Sequence, residues 1–365
     1  AAFYISKDVF PAERFYGRQD RPGVVRALCQ LYTVKVCQAM GDVRKTVMQK
    51  TLDNLGRLPY PSNLILDIHS YCNAACKVCP YPDLSKKLTM GIMDEGLFKK
   101  IVDEFSFFVK NYPIRGHIIF CNMGEPFVDP KVFDKFSYVL NAGLKLAIQT
   151  NAFLLTPDRI DRLVTMGIKA PIYISCHGIT PSVYKYIMGL NIDKTLKNID
   201  YLIKHYPEGL IQIRAISYNW PIGEVLRVKR YWKEKNIPVK IFLPNSRTGL
   251  VNNCSSWKLK YPGNKLKGCK KTLPLRDMVV AFNGDVLLCC EDMGREIVMG
   301  NLKENSIHEV WNSAKAIDIL EKVFLGKPSN DNFICKECEF GKSTIFKKII
   351  RVIDSEWHKL LECSI

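Results

Sequence analysis

Three cysteines stand close together in the stretch CNAACKVCP at 72–80: Cys72, Cys76 and Cys79, separated by three and then two residues and followed by Pro80. No fourth cysteine lies beside them. On one loop their thiolates can converge on a single metal centre, yet zinc in a closed structural site wants four ligands. A cubane iron–sulfur cluster is also usually held by four cysteines, so three leave one iron with an open coordination position for a substrate or cofactor. On spacing alone, zinc or an unrelated cluster is the alternative.

A second group is spread over a longer stretch. Cys269 is followed by fourteen residues, Gly284, four residues and Cys289, and the tetrapeptide CKEC then supplies Cys335 and Cys338. Four thiolates in two sets, with a hairpin between the first two, can close around a cubane completely. A structural zinc is again the alternative, because four-cysteine sites with a CxxC half are common.

The 365 residues contain 14 cysteines, but a chain of this length that is 47% hydrophobic can build a good core without disulfides, and its cysteines cluster unevenly. Metal binding is the better reading. The opening AAFYISKDVFPAERFYGRQDRPG is too broken by charge and proline for a signal peptide, and no run of eighteen uncharged apolar residues occurs. A cytoplasmic location is expected. The formal net charge of +17 favours anionic partners without saying which.

The elements that must position these cysteines follow from periodicity. Short apolar runs at 63–68, 117–120, 144–149, 172–175, 210–216 and 239–243 read as strands. Amphipathic segments at 93–110, 130–141, 157–167, 181–206 and 222–235 read as the helices between them. Such alternation implies right-handed βαβ crossovers and an α/β fold with a parallel sheet. Six units are too few for a closed eight-stranded barrel, so an open, partial (β/α)6 TIM-like barrel is the economical form, with chemistry at the C-terminal strand ends. CNAACKVCP begins four residues after the first strand, where such a site belongs.

The expected organisation is a helical lead-in over 1–60, the barrel over 61–249, a smaller cysteine-bearing domain over 250–341 and a C-terminal amphipathic helix over 342–365. Within the smaller domain, MVVAFNGDVLLCC (278–290) reads as two strands around an Asn283-Gly284 turn. The last helix puts Phe346, Ile350, Ile353, Trp357 and Leu360 on one face with a largely basic opposite face. That basic face gives a peripheral contact with an acidic membrane as one fate, packing across the barrel as the other.

The CxxxCxxC spacing after the first strand of such a barrel resembles the signature of the radical S-adenosylmethionine (SAM) enzymes, over roughly residues 60–245. The resemblance implies that the open iron of a [4Fe–4S] cluster on Cys72, Cys76 and Cys79 chelates SAM, whose reductive cleavage gives a 5′-deoxyadenosyl radical. CNMGEP (121–126) is similar to the family's GGEP-type segment that holds the methionine amino group, with Met123 in place of the first glycine. It makes Met123, Gly124, Glu125 and Pro126 candidates for SAM binding, and Glu125 could accept the ammonium's hydrogen bond. QTNA (149–152) resembles the family's TN-glycine turn, with Ala152 for the glycine, and adds Thr150 and Asn151. Ser175 and Arg214 match positions that often meet the SAM ribose or carboxylate; a capping serine and a solvated arginine are the alternatives.

The later cysteines resemble the twitch type of extension, a shortened SPASM domain with one auxiliary [4Fe–4S] cluster, on Cys269, Cys289, Cys335 and Cys338. MGNLKENSIHEVWNS (299–313) is similar to the segment between the two cysteine sets in that family. Single-cluster relatives include dehydrogenases and epimerases of aminocyclitols and sugars. The resemblance therefore implies an oxidoreductase acting at a carbinol carbon of a carbohydrate-like small molecule, fed by a reductant such as flavodoxin or ferredoxin, and the positive charge of the chain would suit an anionic substrate. Cys121, Cys176 and Cys290 are candidates to return a hydrogen atom, and small core residues otherwise. Arg247 is a candidate substrate contact, or a surface loop charge. A peptide-modifying maturase and a non-catalytic iron–sulfur carrier or scaffold are the alternatives. RNA modification is suggested by charge alone, and with no RNA-binding module in view no nucleic-acid partner is expected.

Overall fold

The apolar runs expected to pair do so in one sheet. The computed structural model describes residues 56–114, 116–120, 122–207, 209–251 and 266–341. The chain divides into two compact units, 1–56 and 57–365, and the described strands and helices belong to the second. The helical lead-in at 24–55, the terminal helix at 343–362 and Cys121 lie outside the described residues.

Strands β1 (Asn63–Leu66), β2 (His117–Phe120), β3 (Lys145–Thr150), β4 (Ile172–Ser175), β5 (Ile211–Ile216) and β6 (Val239–Phe242) each pair in parallel with the next. Between them run α1 (Tyr81–Leu84), α2 (Glu95–Asn111), α3 (Val132–Asn141), α4 (Pro157–Thr165), α5 (Pro181–Met188), α6 (Ile192–His205) and α7 (Ile222–Glu234). Six parallel strands with helices on one face make the open, partial barrel.

The sheet does not stop at β6. Strand β7 (Asp277–Val280) lies parallel against the free side of β1, with Asn63 opposite Asp277. The β8 (Asp285–Leu287) and β9 (Val298–Asn301) strands continue it antiparallel, giving the order 6-5-4-3-2-1-7-8-9. The hairpin read from Asn283-Gly284 is the β7–β8 turn. Helices α8 (Ile307–Trp311), α9 (Ala314–Phe324) and α10 (Ile334–Glu337) complete the C-terminal part.

Alternation along the strands separates two faces. Leu64, Leu66, Ile118, Phe120, Ile148, Ile172 and Ile174 are buried with the helices. Helix α2 shows how: Asp94 caps it by accepting from Leu97 N at 3.0 Å, and Leu97, Phe98, Ile101, Val102, Phe105 and Phe108 form its buried stripe. Phe136 of α3 stacks on Phe120 with ring centroids 5.3 Å apart and meets Phe127 and Phe133 edge-on. Each such pair adds about 0.5–1.5 kcal/mol beyond area burial. The opposite face carries a small apolar patch of Ile65, Val279, Ala281 and Leu287, and then turns polar with Gln149, Tyr173 and Arg214.

One expected helix is broken. The segment 181–206 is two helices, because Gly189 closes α5 in the left-handed region at φ 72° and Asn191 caps α6 by accepting from Lys194 N at 3.0 Å. Periodicity alone runs through such a break. The break has a use at the site.

Candidate functional site

The loop after β1 is fixed by backbone hydrogen bonds before any metal is considered. At the end of α5 the carbonyls of Met188 and Ile187 have no helical partner, and Ala75 N and Lys77 N donate to them at 3.2 and 2.8 Å. Cys72 N donates to Tyr81 Oη at 2.9 Å, so α1 grips the other side of the loop. Asn151 Nδ2 donates to Asn73 Oδ1 at 2.9 Å and ties the loop to the end of β3.

Cys72, Cys76 and Cys79 all carry free thiols. Burial pushes the Cys72 thiol up to about 12, with Glu125 and Cys79 adding to it. Cys76 is held well above its ordinary value by burial, then by Cys79 and Cys72, and Cys79 is raised by burial while Arg247 eases it. Three half-buried thiols, each raised by its surroundings, ionise together most readily around a cationic centre.

The turns after β2 and β3 meet on Glu125. Its Oε1 accepts from Thr150 Oγ1 at 2.6 Å and its Oε2 from Asn151 N at 2.7 Å. Burial lifts this carboxyl to about 7 against those bonds. Ala152 adopts φ 58°, the left-handed conformation that a glycine would take more easily, and Asn198 of α6 donates to its carbonyl at 2.9 Å. Gly124 packs so tightly that a Cβ would lie 2.5 Å from the His69 carbonyl oxygen. Met123 is buried against Leu84 and Met293, and Pro126 opens a buried 3-10 turn, Pro126–Val128.

Sequence reading missed Asp67, which directly follows β1. It accepts from Met123 N at 2.8 Å and Asn122 Nδ2 at 3.1 Å, and burial lifts it to about 6. A carboxylate next to a fully buried strand was the available signal.

Further along the strand ends, Ser175 lies opposite Arg214 across β4 and β5. The Arg214 guanidinium stacks 3.6 Å from the Tyr173 ring centroid and reaches Gln149 Oε1 at 3.4 Å on the polar face. Cys176 points the other way, fully buried in the helix-side core with its Sγ 3.3 Å from the Gly178 carbonyl. Glu224 of α7, also missed, accepts from Ile179 N at 2.7 Å and Thr180 N at 3.0 Å and pins the loop after β4.

The four later cysteines come together from separate elements. Cys269 bridges to Gly341, and Lys270 N donates to Phe340 O at 2.7 Å, which draws the stretch after α10 against it. Cys289 follows β8, and Cys335 and Cys338 sit on and just after α10. All four line one cavity with Thr248 and Glu291. Burial pushes Cys338 up to about 12; burial and then Cys338 and Cys269 hold Cys335 well above its ordinary value. Cys290 instead packs with the patch of Ile65 and Leu287 on the open face, beside Arg247. Arg247 Nη1 donates to Glu291 Oε2 at 2.8 Å.

Among the described residues no three His, Cys, Asp or Glu side chains close on one point as a single-ion site would. A cubane needs its thiolates further apart than zinc does with Zn–S bonds of about 2.3 Å. The seven free thiols, Cys338 buried and the other six half-buried, are the soft donor set that an iron–sulfur cluster takes.

Parallel strands with three thiols gathered at their C-terminal ends and four more at a flanking hairpin define an α/β barrel protein that binds iron–sulfur clusters. Family models agree: the Radical SAM superfamily matches residues 67–216, and an iron-sulfur cluster-binding domain, SPASM, matches 269–339. The chain is a radical SAM protein with a C-terminal SPASM-type domain. These domains bring SAM, a [4Fe–4S] cluster and auxiliary iron–sulfur chemistry.

The chain is 23% identical to the tungsten-containing aldehyde ferredoxin oxidoreductase cofactor-modifying protein of Pyrococcus furiosus, over 77% of this chain and 90% of that one. It is also 23% identical to the S-adenosyl-L-methionine-dependent 2-deoxy-scyllo-inosamine dehydrogenase of Niallia circulans, over 76% and 92%. The crystal structure of BtrN in complex with AdoMet and 2-DOIA shares the fold with a TM-score of 0.51 at 22% identity, covering 76% of this chain and 92% of that one. Streptococcus suis SuiB bound to precursor peptide SuiA shares it with a TM-score of 0.57 at 15% identity, covering 83% and 74%. Among the described residues no helix is long and apolar enough to cross a membrane.

Proposed function

We propose that the chain is a radical SAM oxidoreductase that oxidises or epimerises a carbinol carbon of a sugar or aminocyclitol with the help of one auxiliary [4Fe–4S] cluster. The observation that carries this reading is the single four-cysteine set: among the described residues Cys269, Cys289, Cys335 and Cys338 share one cavity, and Cys290 faces away from it. A relative matched over nearly its whole length is named as a dehydrogenase of an aminocyclitol-type substrate, which supports the substrate class.

In this reading Cys72, Cys76 and Cys79 hold the cluster that, with SAM, supplies one-electron cleavage to a 5′-deoxyadenosyl radical able to take a substrate hydrogen atom. Gly124 and Glu125 shape the turn that receives the methionine end, with Thr150 and Asn151 fixing the Glu125 carboxylate. Ser175 and Arg214 face the ribose and carboxylate side. Arg247 meets a substrate oxygen, and the four later cysteines hold the acceptor of the second electron, so that loss of a hydrogen atom, a proton and an electron takes the carbinol to a ketone. Of the two described thiols considered as hydrogen donors, Cys290 is the one taken to return a hydrogen atom in an epimerisation, because it packs on the sheet face away from the helix-side core that buries Cys176.

The test is anaerobic reconstitution with iron and sulfide, followed by assay with SAM, dithionite and a panel of carbinol-deuterated sugars and aminocyclitols, 2-deoxy-scyllo-inosamine among them. The expected result is about eight irons per chain and deuterium in 5′-deoxyadenosine. Cleavage of SAM without transfer from any panel member would overturn the substrate class, and no cleavage at all would leave an electron carrier or scaffold.

A further inference from the structure

The loop leaving β6 has a backbone that its surroundings must hold in place. Arg247, Thr248 and Gly249 take φ values of 48°, 58° and 90° in succession. Left-handed backbone is unfavourable for an L-residue with a side chain, so two such residues in a row persist where neighbours over-determine them. Those neighbours come from both cysteine sites. Ser246 N donates to Glu339 Oε1 at 2.8 Å, and Glu339 directly follows Cys338. Arg247 Nη1 and Lys271 Nζ each lie 2.8 Å from an oxygen of Glu291, which stands two residues after Cys289. Leu250 packs in the cluster that contains Cys79, Met123 and Met293. The loop therefore walls the later cysteines through Thr248 and touches the first cysteine loop through Leu250.

The charge at this junction is also fixed. Glu291 is 3% exposed, and Arg247 and Lys271 share its carboxylate, so that this triad of side chains carries a net positive charge beside the later cysteines.

We propose that Arg247, held by Glu291, is a positioning charge that sets the reduction potentials of the cluster sites on either side of its loop. This rests on the cluster assignment above and goes beyond the proposed contact of Arg247 with substrate. A cluster that accepts an electron from a low-potential donor becomes more negative by one charge, and a nearby fixed cation favours that state. Removing Arg247 must lower both potentials. Removing the Glu291 charge while leaving Arg247 must raise them, most at the later site.

The experiment is an EPR-monitored dithionite titration of the reconstituted full chain, with iron counted, for the wild type, R247Q, R247K and E291Q. R247Q is expected to make reduction about tenfold harder, or about 59 mV for one electron, and R247K to restore most of it. E291Q is expected to move the potentials the opposite way. Opposite signs are the diagnostic, because simple loosening of the loop would move both variants together. Shifts of the same sign, or none with iron intact, would overturn the proposal. Should R247Q lose iron, K271M removes a charge from the more exposed side of the same array, and unchanged potentials there would overturn it too. A wild type that takes up no cluster fails earlier and refutes the cluster assignment itself.

Discussion

The two cysteine sites are built by opposite means. Cys72, Cys76 and Cys79 occupy one loop whose shape is set by backbone partners from α1 and the end of α5. Cys269, Cys289, Cys335 and Cys338 come from three places along the chain and meet only because β7 and β8 extend the sheet and the stretch after α10 folds back onto Cys269. Under the proposed cluster assignment, the first site leaves a place open among three ligands, and the second can be closed by four. An open coordination position needs a rigid loop that stays in shape with an incomplete ligand set, whereas a closed cluster can itself hold distant segments together.

The sharpest way to break this comparison is to remove one thiol from each site. C76A is expected to abolish 5′-deoxyadenosine formation while retaining the later cluster, about half of the iron. C335A is expected to retain SAM cleavage and lose substrate oxidation, together with measurable thermal stability, because its cluster ties separate segments. Iron counting, 5′-deoxyadenosine assay and thermal melts read all three. If C335A abolished SAM cleavage as fully as C76A, the two sites would not be separable.

A smaller effect tests how the first loop is held. Gly189 adopts φ 72° at the break between α5 and α6, and the carbonyls just before it receive Ala75 N and Lys77 N. In G189A the left-handed residue costs about 1–2 kcal/mol, and its Cβ meets that of Ala75 at 3.4 Å. SAM cleavage should fall several-fold with the auxiliary iron unchanged. Equal loss of iron at both sites would show that Gly189 serves the whole fold.

The same contrast separates what could be read in the sequence from what could not. The three-cysteine loop, the alternating strands and the Asn283-Gly284 turn were legible because their signals are local: spacing, period and turn chemistry. The pairing of β7 with β1 was not, since nothing in Asp277–Val280 names its partner strand. Nor was the break at Gly189, because the residues on either side keep a helical apolar period and a single glycine is tolerated in helices. The sequence offers Glu125 as an acceptor for the SAM ammonium, but it does not show the hydrogen bonds from Thr150 and Asn151 that hold the carboxylate in place. Such bonds join strand ends and depend on the register of β2 and β3. Arg247 was read as a loop charge or a substrate contact, and its partner Glu291 lies 44 residues away.

The carboxylates give the smallest and most specific test of the difference. At the first site burial lifts Glu125 from 4.5 to about 7 and Asp67 from 3.8 to about 6. At the second, burial opposes the Glu291 charge, but Arg247 and Lys271 overcome it and hold that carboxyl below its ordinary value. The signs are opposite. A group raised in the folded state binds its proton more tightly there than in the unfolded chain. Its contribution is therefore complete below pH 4.5 and lost as pH rises toward about 7. Glu291 contributes stability above its unfolded pKa and loses it in acid. For Glu125 the span corresponds to about 3 kcal/mol as an order of magnitude. Urea unfolding of the metal-free chain between those limits should show stability falling with rising pH, and E125Q should flatten the fall, leaving the share of Asp67. E291Q should leave that slope in place and lower stability near neutrality instead. A wild-type slope unchanged by E125Q would mean that Thr150 and Asn151 already keep the carboxylate ionised, so that both sites would hold their carboxylates in the same way.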